Sequence, residues 1–588
     1  VTSRALDFTQ PRTLCDAFFT QARRFGSQPF LWSKADGTWQ ARSWQTVAGQ
    51  VEQLARGLLT ACALQPGERV VIVADNRPEW CIADLAIMAA GGITVPAYTT
   101  NTVADHLHIL RDCTPSVVIC TGKLAPRLLQ AATQTAVPPQ IILLDPADLR
   151  QNPGLSLVMW DDVCQAGQQA TDIPLPGLHA HPTDTACLIY TSGTGGAPKG
   201  VMLSHQAILH NCLGAHQVVV QLGLGEERFL SFLPLSHAYE HTAGQFFPIT
   251  IGAQIAYAES LDALASNMQD MQPTIMTAVP RLYEVLRQKI LRGVERQGGS
   301  KAAWFTRTLR LGEQALRAPE TMRWRDTALN GLCSLLVRRK VKARFGGRLK
   351  AFVSGGAPLN SDVGAFFTAL GVRILQGYGQ TEAAPVISVN IPRRVRLDAV
   401  GPALCGVELN IADDGEICVR GPLVMNGYWN NPLATAQVLD ADGWLHTGDI
   451  GEISPEGDLR ITDRKKDIIV NSGGDNISPQ RLEGFLTLEP DIAQAMVHGD
   501  GRPHMVALIV PGEDCLRRHQ GDPEALRQAV LAAVGRVNSG LSAIEKIRSI
   551  ALADEAFTID NGMLTPTLKL RRHVILARYR GLLDALYR

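Results

Sequence analysis

The 588-residue chain is too long for one ordinary domain, since single hydrophobic cores stop growing near ~250–300 residues. Apolar residues make up 46% and charged residues 19%, with mean hydropathy +0.02, which excludes wholesale disorder and a polytopic membrane protein. Lys+Arg and Asp+Glu both total 56, so nothing global favours a nucleic-acid partner and none is expected. The 12 cysteines are scattered without metal-ligand spacing, which predicts reduced, mostly buried thiols in a cytoplasmic protein.

The N-terminal VTSRALDFTQ lacks a charged-then-apolar leader pattern. An amphipathic stretch closing at Ala55–Leu59 is followed by a Pro66-Gly67 turn and a predicted strand, Arg69–Ala74. Trp80 to Ala97 is the longest apolar stretch, but Asp84, Gly91-Gly92 and Pro96 interrupt it, so it reads as a buried helix running into a strand. Further apolar runs at Ser116–Cys120 and Gln140–Leu144 complete a helix/strand alternation. The rhythm resumes at Ala186–Tyr190, Ile275–Ala278, Lys350–Val353 and Val372–Leu375. Such alternation predicts an α/β protein with parallel-type sheets covered on both faces.

Between Lys289 and Lys350, 16 Lys/Arg stand against 4 Asp/Glu, interleaved with Trp304, Phe305, Leu309, Trp324, Leu332 and Leu335-Leu336. A solvated helix face is the ordinary reading, and contact with an anionic membrane surface is the alternative. From about Val395 the texture changes to short strands with Gly/Asp turns, Val407–Ile411 and Glu416–Arg420, which predicts a small β-rich lobe. The charged run Thr462–Asp467 then precedes a final α+β segment and reads as a hinge.

Three motifs carry chemistry. Tyr190–Gly200 (YTSGTGGAPKG) follows an apolar strand and combines open backbone at Gly193 and Gly195, hydroxyls at Thr191, Ser192 and Thr194, and the cation Lys199. That set suits a phosphate-wrapping loop, and it is not a Walker loop because Gly200 follows Lys199. Gln376–Glu382 (QGYGQTE) places Tyr378 between Gly377 and Gly379, an aromatic face suited to a purine. Its Glu382 is an oxygen ligand suited to Mg²⁺. In Trp444–Gly451, Asp449 sits in a Gly-flanked turn and can hold both hydroxyls of a ribose.

Taken in order with Ser354–Pro358 (SGGAP) and Thr462–Gly474 (TDRKKDIIVNSGG), these motifs resemble the adenylate-forming enzymes over most of the chain. Pro234–His241 (PLSHAYEH), the long basic insert and Leu564–Leu570 (LTPTLKL) make it similar to a long-chain fatty-acid–CoA ligase. The resemblance implies a large N-terminal domain, 1–464, of two αβ lobes (1–185 and 186–394) and a β-rich lobe (395–464). A smaller mobile C-terminal domain, 465–588, would follow. It implies ATP, Mg²⁺ and coenzyme A, with a fatty acid as substrate. Thr191–Lys199 would hold the β,γ-phosphates, Gly355, Gly356 and Tyr378 the adenine, and Thr381 and Glu382 the α-phosphate and Mg²⁺, with Thr191 beside the metal. Asp449 would bind the ribose with Arg464 near it, Lys466 would be the hinge, and Lys569 would reach the α-phosphate and the carboxylate. His237 would be a substrate-pocket residue and no general base, because a fatty carboxylate is already ionised at pH 7. Some relatives carry a gating tryptophan four residues after that histidine; here the position is His241. The alternatives are a fatty-acyl-AMP ligase loading a carrier protein, a CoA ligase for another carboxylic acid, and a non-catalytic nucleotide- or acyl-binding regulator. The compact stretch from Glu382 to Trp444 favours free coenzyme A as acceptor. A homodimer and peripheral attachment at the inner face of the membrane complete the expectations.

Overall fold

The computed structural model describes residues 4–148, 154–191, 197–565 and 568–588. Two eight-stranded sheets dominate the N-terminal domain. The first runs Gly427–Tyr428, Lys199–Ser204, Thr185–Thr191, Ile93–Pro96, Arg69–Val73, Val117–Cys120, Gln140–Leu143 and Leu157–Met159. The second runs Val386–Val389, Ile374–Gly379, Ala351–Ser354, Ile275–Ala278, Arg228–Ser231, Gln254–Tyr257, Pro29–Ala35 and Thr38–Ser43. The predicted apolar runs form these strands, and most pairings are parallel. Their residues are buried on both faces, which is why they read as continuous apolar stretches.

Sheet membership does not follow the sequential division at 185/186. Pro29–Ala35 and Thr38–Ser43 complete the second sheet, where Leu31 lies parallel to Ile255. Thr185–Thr191 and Lys199–Ser204 form an antiparallel hairpin at the first sheet, next to Ile93–Pro96. Partner choice is a tertiary matter that the alternation of elements does not encode. Antiparallel strands likewise close the second sheet at both edges, Val386–Val389 and Thr38–Ser43.

The buried helix reading holds: Pro78–Ala89 is covered on all sides and leads into Ile93–Pro96. No helix among the described residues is long and apolar enough to cross a membrane. All 12 cysteines are free, and most are buried. The β-rich lobe is a four-stranded antiparallel sheet, Glu408–Ile411, Glu416–Arg420, Leu445–Ile453 and Leu459–Arg464. The last segment packs a three-stranded sheet (Ile492–His498, Met505–Pro511, Ile547–Leu552) against Pro479–Leu486, Pro523–Asn538 and Arg572–Ala585.

Candidate active site

The phosphate-loop motif spans the hairpin in which Thr191 pairs with Lys199. Ser192, Gly193, Thr194 and Gly195 lie outside the described residues. Lys199 directs its ammonium over the Tyr428 ring, 4.7 Å from the centroid. The Tyr428 hydroxyl donates to Glu382 Oε1 at 2.9 Å, so a cation, a ring and a carboxylate form one chain. Glu382 sits in the short 3₁₀ turn Thr381–Ala383, and its carbonyl accepts from Met425 N at 2.9 Å.

That turn follows the strand Ile374–Gly379, which carries Gly377, Tyr378 and Gly379. A side chain at Gly379 would place its Cβ 1.8 Å from the Pro385 carbonyl oxygen, so only glycine lets the chain fold back tightly here. Tyr378 is buried and donates to Asp449 Oδ2 at 2.6 Å. The other oxygen, Oδ1, pairs with Arg464 Nε at 3.1 Å. Asp449 and Arg464 are directly opposite on neighbouring antiparallel strands, which brings them together despite 14 intervening positions. A ribose bound at Asp449 would therefore share this carboxylate with the phenol and the guanidinium.

Gly355 and Gly356 follow the strand Ala351–Ser354. A Cβ at Gly355 would come within 3.1 Å of the Tyr239 ring, whose hydroxyl donates to Val353 O at 2.8 Å. Tyr239 N donates to His237 Nδ1 at 3.1 Å, leaving the neutral imidazole its proton on Nε2. Burial, with Lys569 nearby, lowers the His237 pKa to about 4, so the ring is neutral at pH 7. This agrees with a pocket residue that takes no proton from a carboxylic acid.

Lys569 arrives from the tail domain. Its loop is closed by Thr565 N donating to Lys569 O at 2.8 Å and Lys569 N donating to Thr565 Oγ1 at 3.0 Å. Three residues on, Arg572 donates to both oxygens of buried Glu483, at 2.8 and 2.6 Å, and thereby anchors the loop to its own domain. Lys569 is exposed by accessible surface, while the protein crowding around its ammonium still disfavours the charge. Burial and the Arg464 cation lower its pKa to about 8, against the pull of Asp449 and Glu382. Lys569 thus lies within electrostatic reach of Glu382, Asp449 and Arg464, and His237 within reach of Lys569.

The junction itself is legible atom by atom. Lys465 N donates to Gly448 O at 2.9 Å and its ammonium pairs with Asp414 and Glu416, all in the β-rich lobe. Asp467 accepts from Gln480 Nε2 at 3.1 Å, in the tail domain. Lys466, exposed, stands between a residue tied to one domain and a residue tied to the other.

His241 is fully buried. Its Nε2 lies 2.9 Å from Asp84 Oδ2, which also accepts from Gln245 Nε2 at 2.6 Å. Trp80 and Phe246 meet the ring edge-on, so the imidazole is packed in place. Sequence reasoning missed Tyr428 and Lys465. Tyr428 follows Gly427 in a short strand that pairs with Met202 and Val201, and no local pattern links it to Glu382.

A family model described as AMP-binding enzyme matches residues 18–429, and one described as AMP-binding enzyme C-terminal domain matches 466–588. The chain belongs to the AMP-binding, adenylate-forming enzymes. Relatives of this AMP-binding enzyme include the long-chain-fatty-acid–CoA ligase FadD15 of Mycobacterium bovis, 32% identical over 94% of this chain and 93% of that protein. The long-chain-fatty-acid–CoA ligase 1 of Cavia porcellus is 30% identical over 98% of this chain and 86% of that one. The adenylation domain of a carboxylic acid reductase from Segniliparus rugosus, solved with AMP and a co-purified carboxylic acid, shares the fold at TM-score 0.79. It is 21% identical and covers 100% of this chain and 96% of that chain.

Proposed function

We propose that this AMP-binding enzyme is a long-chain fatty-acid–CoA ligase, converting ATP, a fatty acid and coenzyme A to acyl-CoA, AMP and pyrophosphate. The observation that carries the reading is the convergence of Lys569, from the tail domain, on Glu382, Asp449 and Arg464 of the N-terminal domain. Relatives named long-chain-fatty-acid–CoA ligase, aligned over nearly the whole chain, support the substrate class.

The first step joins a carboxylate oxygen to the α-phosphorus and breaks its bond to pyrophosphate. Both partners are anions, so the barrier lies in approach and in spread negative charge rather than in proton removal. Lys569 and Lys199 supply positive charge to that centre, and Tyr378, Asp449 and Arg464 orient the nucleoside. Glu382 fits Mg²⁺: one oxygen is fixed by the Tyr428 phenol, which leaves the other to ligate. Mg²⁺ takes most of its ligands from phosphates and water, so one carboxylate is enough to hold it. When bound, Mg²⁺ would neutralise charge on the transferred phosphate. In the second step the coenzyme A thiolate attacks the acyl carbonyl, and AMP leaves with the oxygen that joined them.

A panel of carboxylic acids from C4 to C20, scored by AMP release with free coenzyme A or with a carrier protein, tests the reading. Release that depends on long acids and free coenzyme A supports it. Release that requires the carrier, or is confined to short or aromatic acids, overturns it.

A further inference from the structure

The basic insert folds into helices, and its apolar residues divide into two sets. Phe305 is buried and Leu309 packs against the second-sheet core, so the helix Gly299–Arg317 uses its aromatic face internally. The segment from Trp324 to Arg344 is one continuous helical run with a wide π turn at Ser334–Arg338. Its inward seam is Leu329, Cys333, Val337, Val341 and Phe345, at four-residue spacing. Arg338 locks that seam by donating to Ala369 O at 2.7 Å and to Asn330. One seam is enough to dock a helix.

A second apolar set faces outward without a protein neighbour to explain it. Trp324 is 77% exposed, Leu335 65%, and Leu332 and Leu336 41% each. Between Arg323 and Arg348 the sequence holds eight Lys/Arg and one acid, Asp326, in a chain whose net charge is zero. Of the eight, only Arg338 is turned inward; Arg323, Arg325, Arg339, Lys340, Lys342, Arg344 and Arg348 are exposed. We propose that this helical face, with Trp324, Leu332, Leu335 and Leu336 flanked by exposed basic residues, docks on an anionic phospholipid surface.

Charge and shape choose the occupant. A second copy would bring the same seven cations against themselves. A peptide needs a groove, whereas this face is the convex side of a helix. An anionic bilayer interface offers negative charge together with a boundary where Trp and Leu side chains leave water and long basic stems extend outward. The inference stands on this surface and does not rest on the acyl-chain reading, so its test measures binding without turnover.

The test is co-sedimentation of the full chain with vesicles of phosphatidylcholine alone or with added phosphatidylglycerol, at low and high salt. Binding should require the anionic lipid and fall steeply with salt, because exposed charges are screened within ~8–10 Å near physiological ionic strength. Leu335→Glu with Leu336→Glu should weaken binding at least tenfold. Arg339→Glu with Lys340→Glu should also weaken it at least tenfold, since each juxtamembrane cation contributes about fivefold. Both double variants should retain wild-type ATP–pyrophosphate exchange, showing that the fold is intact. Equal binding by wild type and both variants, salt-independent binding, or no binding overturns the proposal. So does concentration-dependent dimerisation that the variants abolish, which would make the occupant a second copy.

Discussion

The Lys569 ammonium meets opposing influences: burial and Arg464 disfavour its charge, while Asp449 and Glu382 favour it, and the balance lowers its pKa to about 8. In the proposed adenylation the cation is the form that would stabilise the α-phosphate, and it is present below about pH 8 and lost above. In ATP-dependent adenylation, kcat/KM reports the free enzyme and should show an alkaline limb near pH 8. Lys569→Arg, which stays protonated, should lose that limb even if imperfect geometry lowers the plateau. A wild-type profile flat through the alkaline range would exclude Lys569 as the acting cation. Glu382 allows a cleaner substitution: Glu382→Gln keeps an acceptor for the Tyr428 phenol and removes only the charge. Its Mg²⁺ titration should shift to higher concentration with a lower adenylation rate and an unchanged circular dichroism spectrum. An unshifted titration would reject the metal role. Lys569, Glu382 and Asp449 stood out in the sequence because each is an ionisable group in a Gly- or Thr/Pro-rich turn, and the structure brings them within electrostatic reach of one another. The Tyr428 contact was not, because cross-sheet proximity leaves no local pattern.

At the level of elements, the π-helix Glu240–Phe246 is tied to four neighbours. Glu240 accepts from Ser231 Oγ at 2.7 Å and from Thr277 Oγ1 at 2.6 Å, His241 and Gln245 hold Asp84, and Thr242 donates to Ala384 O at 3.2 Å. Burial raises the Glu240 pKa from its ordinary 4.5 to about 7, while the two hydroxyls act in the opposite sense. Between these values the folded chain binds a proton that the unfolded chain has released, so Glu240 makes stability fall as pH rises through that window. Glu240→Gln should therefore match wild type near pH 5 and exceed it near pH 8, read from urea midpoints. Parallel curves for the two proteins would contradict this. The strands Arg69–Val73, Val117–Cys120 and Ile275–Ala278 were legible as bounded apolar runs. Sheet partnership was not, because each run is equally apolar on both faces and nothing local names its neighbour. The insert shows a related limit. Composition mixed Phe305 with Trp324, and only packing separated the inward from the outward set.

For the whole molecule, the proposed reaction would need Lys569 in place for adenylation and a path for the coenzyme A thiol to the same carbonyl for thioester formation. One rigid arrangement would serve both poorly, so the proposal has the tail domain turn about a few backbone torsions. Lys465 is fastened to Asp414 and Glu416 and Asp467 to Gln480, so the proposed turn falls at Lys466 between them, where the bonds from Asp467 N and Ile468 N to Arg464 O would have to open. Far from the cleft the domains also meet through Arg292 with Asp514 at 3.2 Å, an exposed ion pair that restrains such a turn little, and through Leu488, which packs against the second-sheet core. The structure has the Lys569-in arrangement, so a substitution that freezes the junction should spare the first half-reaction. Proline at 466 fixes φ near −65° and restricts the residue before it. The decisive measurement is both half-reactions of Lys466→Pro in one preparation. ATP–pyrophosphate exchange is expected to stay within about tenfold of wild type, about 1.4 kcal/mol of barrier, while acyl-CoA formation from preformed acyl-adenylate falls far more. Equal loss of both half-reactions, with the fold intact by circular dichroism, would contradict a two-state cleft turning at Lys466.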